Sequence, residues 1–197
     1  LVLHATFSDG TTLSGEAEIT AAHKRIDSIW VTPQDDSTNE VAQAPSEVIN
    51  AILNADVIVL GPGSLFTSVL PNLMVPNVAE ALKATRAKVV YIANIMTQKG
   101  ETDDFSDADH LRAINRHVGD NVVDAVIMNT GVVPEDYIDW KKWNEVSHQV
   151  TFDPEEVRQE GAVPVLGDLL ELRDDGAFHN GDIVAQLIMQ IANSPEI

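Results

Sequence analysis

Val57-Ile58-Val59-Leu60-Gly61-Pro62-Gly63-Ser64-Leu65-Phe66-Thr67-Ser68-Val69-Leu70-Pro71-Asn72 is the stretch that decides the fold class. Its first four residues are apolar without a break, three of them β-branched, and such a run describes a strand buried on both faces, as in a parallel sheet. Two glycines and a proline end it, and Ser64 opens a short helix that Pro71 should halt. In a parallel α/β sheet ligands gather beyond the carboxyl ends of the strands, where helix N-termini aim unpaired N–H groups outward. Gly61 and Gly63 remove side-chain bulk at that point, while Ser64, Thr67, Ser68 and Asn72 supply polar groups. On residue types alone two readings stay open: a phosphate cradle, or a tight turn with a Ser cap. The stretch is neither a P-loop, having no Gly-Lys-Ser/Thr, nor the dinucleotide fingerprint.

Strands and helices alternate outward from this turn. Pro45-Ser46 opens a helix with Val48, Ile49, Ile52 and Leu53 on one face. A helix from Val78 to Thr85 precedes a strand from Lys88 to Asn94, and a further strand covers Asp124 to Asn129. Between the last two, Ser106-Asp107-Ala108-Asp109 has the form of a capping box, with Leu111, Ile114 and Val118 behind it and Arg116-His117 in the last turn. Asp153-Pro154-Glu155-Glu156 begins a helix that Gly161 closes, before an apolar strand at Val163 to Leu166. Asp174-Asp175-Gly176 is a turn, and Asn180 caps a terminal helix carrying Ile183, Val184, Leu187, Ile188 and Ile191. Pro134 to Glu145 reads as a helix carrying Tyr137, Trp140 and Trp143, where Trp140 and Trp143, three apart, either pack on the sheet or stack a base or ring, and Gln149 to Phe152 reads as a strand. The order predicts βαβ units, hence an α/β fold with a mostly parallel sheet flanked by helices.

Upstream, Val2 to Phe7 and Thr12 to Ile19 alternate in polarity around Ser8-Asp9-Gly10 and predict a β-hairpin, with a third strand at Ser28 to Thr32. Residues 1–33 are thus expected as a β-hairpin edge extension and 34–197 as the α/β domain. Gln34 to Glu40 reads as a solvated loop.

Composition narrows the function. With 197 residues, 44% of them apolar, the chain buries a substantial core. Twelve basic against thirty-one acidic residues give a formal charge of −19, a field that repels nucleic acid and anionic membranes, so neither is expected as a partner. Zero cysteines exclude disulfides, zinc thiolate sites and thiol catalysis. No His-x-x-x-His pair favours zinc, and no Gly-x-Ser-x-Gly elbow favours a hydrolase triad.

Two further segments carry polar chemistry. Asn94-Ile95-Met96-Thr97-Gln98-Lys99-Gly100-Glu101-Thr102-Asp103-Asp104 leaves the carboxyl end of a strand. Asn94 and Thr97 can fix a polar ligand there, and Glu101, Asp103 or Asp104 can hold a divalent cation such as Mg or accept sugar hydroxyls, unless the loop is simply solvated. In Asp109-His110 the acid is accounted for by the capping box, and the histidine is either a ligand-facing donor or an ordinary surface residue.

Taken together, Gly61 to Leu73, Asn94 to Asp103 and Ser106 to His110 resemble the YvcK-type gluconeogenesis factor family, of the CofD-like superfamily that includes the 2-phospho-L-lactate transferase of deazaflavin coenzyme synthesis. Weaker similarity runs from Asp9-Gly10 and Gly15-Glu16 to His179-Asn180. The resemblance implies a Rossmann-like, cytoplasmic, bacterial protein that binds a UDP-type nucleotide sugar and is needed for cell shape and growth on gluconeogenic carbon sources. Its implied ligand-binding residues are Gly61, Gly63, Ser64, Thr67, Ser68, Asn72, Asn94, Thr97, Glu101, Thr102, Asp109 and His110. The transferase cousins imply an alternative, movement of a phospholactyl group with a divalent metal. The family opens with a Gly-Gly-Gly-Thr-Gly turn and an Asp-Asp-Gly-Gly segment that these residues lack, so the chain is expected to be a C-terminal portion. Relatives often have Tyr at the place of Phe66 and Gly at that of Asp104, and some have Arg at that of Phe178. A third reading is a homo-oligomeric scaffold joined through the acidic surface and the Trp140/Trp143 segment.

Overall fold

The computed structural model describes residues 1–34, 41–134, 136–143, 147–195 and 197. Most of the polar loop expected at 34–40 therefore lies outside the described residues, as do 144–146 and the side chain of Trp143.

Strand β1 (Val2–Phe7) pairs antiparallel with β2 (Thr12–Ser14) and with β3 (Ile26–Thr32), in the order β2-β1-β3. Alternation along β1 buries Leu3, Ala5 and Phe7 and leaves Val2, His4 and Thr6 on the outer face. The second arm of the hairpin is shorter than expected. Gly15, at φ 99°, turns the chain after Ser14 into helix α1 (Glu16–Ala21), which buries Ile19. Ala and Glu are strong helix formers and Glu16 and Glu18 sit at the positive end of the helix, so helix propensity prevailed over the polar/apolar alternation.

The second sheet is parallel. Its strands are β4 (Val57–Leu60), β5 (Lys88–Ile92), β6 (Ala125–Asn129) and β7 (Val163–Gly167), in the order β4-β5-β6-β7. The helices are α2 (Ser46–Leu53), α3 (Leu70–Leu73), α4 (Pro76–Ala84), α5 (Asp107–Val118), α6 (Trp140–Trp143), α7 (Pro154–Gln159) and α8 (Gly181–Asn193). A hairpin of β8 (Leu170–Arg173) and β9 (Gly176–His179) precedes α8, turning at Asp174 and Asp175, both at positive φ.

Period-2 alternation sorts the central strands between two apolar layers. Val89, Tyr91, Val126 and Met128 join Leu65, Leu70, Leu111 and Ile114 and the inward residues of β1 in one cluster. Val90, Ile92, Ala125 and Ile127 face the other way, onto Leu169 and the α8 residues Val184 and Ile191. A fully buried side chain such as Ile114 contributes about 1.5–3 kcal/mol by its removal from water.

The ends of α8 are fastened to β5. The Lys88 ammonium, at the start of β5, donates to the carbonyls of Ile191, Ala192 and Ser194, which the helix itself cannot satisfy. At the other end the His179 ring donates to the Ala93 carbonyl at 3.0 Å, just past β5.

Several elements differ from the sequence expectation. Leu65–Val69 forms one π-helical turn that passes into α3, and Pro71 lies in the first turn of that helix, starting it rather than halting its predecessor. Pro76 likewise starts α4 two residues before the expected Val78. Within Pro134 to Glu145 the described helix is confined to Trp140–Trp143, and Gln149 to Phe152 supplies only isolated bridges, Met96 to Gln149 and Ser106 to Thr151. The apolar stripe of α2 is amphipathic as expected, yet no residue of α2 is fully buried. No helix among the described residues is long and apolar enough to cross a membrane.

Candidate functional site

The carboxyl ends of β4 and β5 place the Gly61 turn beside the Asn94 loop. Gly61 has φ +79°, and a Cβ on it would stand 3.3 Å from the Ile92 carbonyl, so glycine answers both the backbone conformation and the close approach of the next strand. Asn94 locks the two loops together, its Nδ2 donating to the Gly63 carbonyl at 3.0 Å. The Gly63 and Ser64 amides find no acceptor among the described residues. Two N–H groups are therefore presented where the chain enters a helical turn, an arrangement suited to an anion.

A recess lies on each side of this turn. A cleft of about 330 Å³ is walled by Ser64, Asn94, Met96, Thr97 and Gln98 on one side and by Ile138, Trp140 and Gly176 to Phe178 on the other, with Ser147 between. A second recess of about 360 Å³ is lined by Gly61, Pro62, Gly63, Ser68 and Asn72 with apolar residues of β4 and α3. Thr67 is buried and turns instead toward a larger apolar cavity of about 600 Å³ under α2, which Asn72 also borders. The outer wall of the cleft is fixed to the hairpin turn: Lys142 Nζ donates to the Asp174 carbonyl and approaches the Asp175 carboxylate, and the Asp139 amide donates to the Asp175 carbonyl.

The rest of the Asn94 loop is held by its own side chains. Thr97 exchanges two hydrogen bonds with His148: its amide donates to the His148 carbonyl, and its hydroxyl accepts from the His148 amide. Buried Glu101 accepts from Thr20 Oγ1 and from Gln98 Nε2. Buried Thr102 accepts from the Gln98 amide, and Asp103 from the Gly100 amide. Gly100 lies at φ +83° against His23, whose carbonyl carbon would be 2.3 Å from any Cβ there. The loop is thus clamped onto the β1–β3 unit.

Asp109 and His110 lie outside the lining of both recesses. Asp109 Oδ2 accepts from the Ser106 amide and hydroxyl while Ser106 Oγ accepts from the Asp109 amide, a complete capping box, and Oδ1 pairs with Arg112 at 2.5 Å. His110 is enclosed in the core, donates from Nδ1 to the Ser106 carbonyl and sits edge-on to Phe105; burial holds its pKa below the usual histidine range. Asp107 beside it is pushed up to about 7 by burial, against the lowering effect of the Asp153 backbone hydrogen bond. Burial also lowers His179.

Of the twelve residues expected in the site, Ser64, Asn94 and Thr97 line the cleft, Gly61, Gly63, Ser68 and Asn72 line the recess across the turn, and Thr67, Glu101, Thr102, Asp109 and His110 lie apart. Of the candidates for a divalent cation, Glu101 and Asp103 each bond a different neighbour and Asp104 stands at φ 62°, and among the described residues no three His, Cys, Asp or Glu side chains group to hold a metal. Ile138, Ser147, Gly176 and Ala177 were missed as lining residues because nothing local in the sequence ties them to the Gly61 turn, whereas Phe178, singled out as the place where some relatives have Arg, does line the cleft. Trp140, read either as packing on the sheet or as stacking a ring, lines the cleft.

The family model for the 2-phospho-L-lactate transferase CofD matches residues 1–170. A Lactococcus lactis protein provisionally named a gluconeogenesis factor is 46% identical over 196 residues, 100% of this chain and 59% of its own. The gluconeogenesis factor of Halalkalibacterium halodurans is 38% identical over 190 residues, 96% of this chain and 57% of its own. A crystal structure of a Bacillus halodurans protein superposes with a TM-score of 0.86 at 38% identity, covering 95% of this chain and 58% of that one. The chain therefore spans 57–59% of the length of these curated relatives.

Proposed function

Because the chain belongs to the 2-phospho-L-lactate transferase CofD family, we propose that it is part of a gluconeogenesis factor: a bacterial, cytoplasmic regulatory protein that binds a nucleotide sugar of the UDP type. Its role is to support cell shape and growth on gluconeogenic carbon sources. The observation that carries the binding reading is the pair of unengaged amides at Gly63 and Ser64, standing between recesses of about 330 and 360 Å³. A nucleotide sugar is two rings joined by a diphosphate, and this arrangement offers an anion contact with a pocket on each side, each within the usual range for small-molecule sites. The charge of −19 supports a small-molecule partner over nucleic acid. Calorimetry of the full-length protein with UDP-glucose and other UDP-sugars tests it. Saturable heat that falls at least tenfold in affinity on Ser64→Pro, which removes one amide, is expected; no heat with any UDP-sugar refutes it.

The family's name favours a second reading, transfer of a phosphate-bearing group with a divalent cation, for which Glu101 is the buried carboxylate within the Asn94 loop. Turnover of a nucleotide-activated phospholactate by the full-length protein, lost on Glu101→Gln, is the outcome this reading requires. Turnover retained in that variant removes Glu101 from it.

A further inference from the structure

Among the described residues, the walls of the cleft between Ser64 and Trp140 carry no ionisable side chain, although the chain as a whole bears a formal charge of −19. We infer that this cleft admits the uncharged ring end of the ligand, nucleobase or hexose, and excludes its phosphates, which stay at the Gly63 and Ser64 amides. The inference rests on the nucleotide-sugar reading and adds which part of the molecule goes where.

Three observations support it. None of the described lining side chains is a cation, and the guanidinium of Arg173 is stacked over the ring of Phe178, 4.5 Å from its centroid, so a phosphate entering the cleft loses water without a charged partner on the walls, which is costly in any recess and more so in an acidic protein. Met96, Ile138 and Trp140 give the cleft apolar surface that suits the face of a ring. Asn94 then sets the sense of the hydrogen bonding. Its Nδ2 is committed to the Gly63 carbonyl, which fixes the amide's orientation, and its Oδ1 is enclosed with no donor among the described residues. An unpaired buried acceptor is a standing cost. An N–H or O–H brought by a ring relieves it as the loop adjusts, whereas a phosphate oxygen, itself an acceptor, adds repulsion.

The test places a positive charge on each wall of the full-length protein, Met96→Lys from the Asn94 loop and Ala177→Lys from the hairpin, with Met189→Lys, at an exposed position of α8 outside the lining of both recesses, as the control. The probes are UDP-glucose, uridine, glucose and inorganic phosphate. Both cleft variants are expected to weaken UDP-glucose at least tenfold while Met189→Lys stays within about threefold, and either uridine or glucose competes, identifying the ring. Tighter UDP-glucose or new phosphate binding in either cleft variant overturns the inference, because phosphates would then occupy the cleft. Unchanged affinity in both overturns it too. If UDP-glucose gives no heat with the unmodified protein, the functional reading fails, and saturation-transfer NMR with uridine and glucose alone decides the remainder. Transfer that Ala177→Lys abolishes sustains a neutral-ring cleft; no transfer to either probe refutes it.

Discussion

His117 joins α5 to the edge of the β1–β3 sheet, and its bonding dictates how stability responds to acid. Its Nδ1 donates to the Ala113 carbonyl at 2.7 Å and its Nε2 accepts from the Ile29 amide at 3.3 Å, so the ring must be neutral. Burial, the largest influence, lowers its pKa, helped by the neighbouring Arg116 and opposed by Asp27. A histidine whose folded pKa lies below the unfolded value of about 6.5 contributes stability that is fully present above 6.5 and is lost as pH falls from 6.5 toward the folded pKa, because the unfolded chain takes up the proton first. The slope is at most about 1.4 kcal/mol per pH unit for one group. At neutral pH, His117→Ala leaves the Ile29 N–H without its acceptor, at about 1–3 kcal/mol. It also loses the edge contact with Phe66, whose ring centroid is 5.9 Å away, for about another 1 kcal/mol. Urea unfolding at pH 7.5 should show a deficit of about 2–4 kcal/mol, and repetition at pH 5.5 should shrink the gap between wild type and variant. A gap that is the same at both pH values, or wider at pH 5.5, refutes the neutral-ring bridge.

The carboxyl of Asp107 runs the other way. Raised to about 7 from an unfolded value near 3.8, it contributes stability below pH 3.8 that is lost as pH climbs through 7, so Asp107→Asn should raise the melting temperature at pH 8 and lose that advantage at pH 5. Gly100→Ala forces a Cβ into the His23 backbone at positive φ and should destabilise by several times the ~1 kcal/mol expected for Gly119→Ala, which meets only open space; thermal melts of the pair give the ratio. Asp109→Asn should lower stability by about 1 kcal/mol through the capping box and leave UDP-glucose affinity unchanged, a loss of affinity at constant stability being the contrary result. Lys88→Met removes the charged donor from three carbonyls at the end of α8 and should cost about 2 kcal/mol in urea unfolding.

What was legible in the sequence divides by range. The parallel sheet could be read because Val57 to Leu60 and Ala125 to Met128 are unbroken apolar runs, and the start of α5 because Ser106 and Asp109 stand three apart. Both are local signals. The end of the hairpin's second strand was misread because Leu13 to Ile19 fits both a period of two and a short helix, and only Gly15's backbone decides between them. Of the candidate site, the wall formed by Ser64, Asn94 and Thr97 was legible as polar residues following apolar strands. The opposite wall was not. Ile138 and Phe178 are separated from Ser64 by 74 and 114 residues, and their approach depends on the β8–β9 hairpin folding back toward the sheet. Asp109 and His110 drew notice in one dimension because a helix start collects polar residues whether or not a ligand is near, and in three they sit in the capping box and the core, outside the lining of both recesses.

The double fastening of α8 along β5 has a mechanical consequence. Lys88 grips the end of the helix and the His179 ring grips the strand just before Asn94, so the two walls of the cleft hang from a single strand–helix splint. A break in the chain anywhere from 136 to 143 would leave both walls attached to that splint. Nicked protein should therefore migrate as one particle under native conditions and as two fragments only after denaturation.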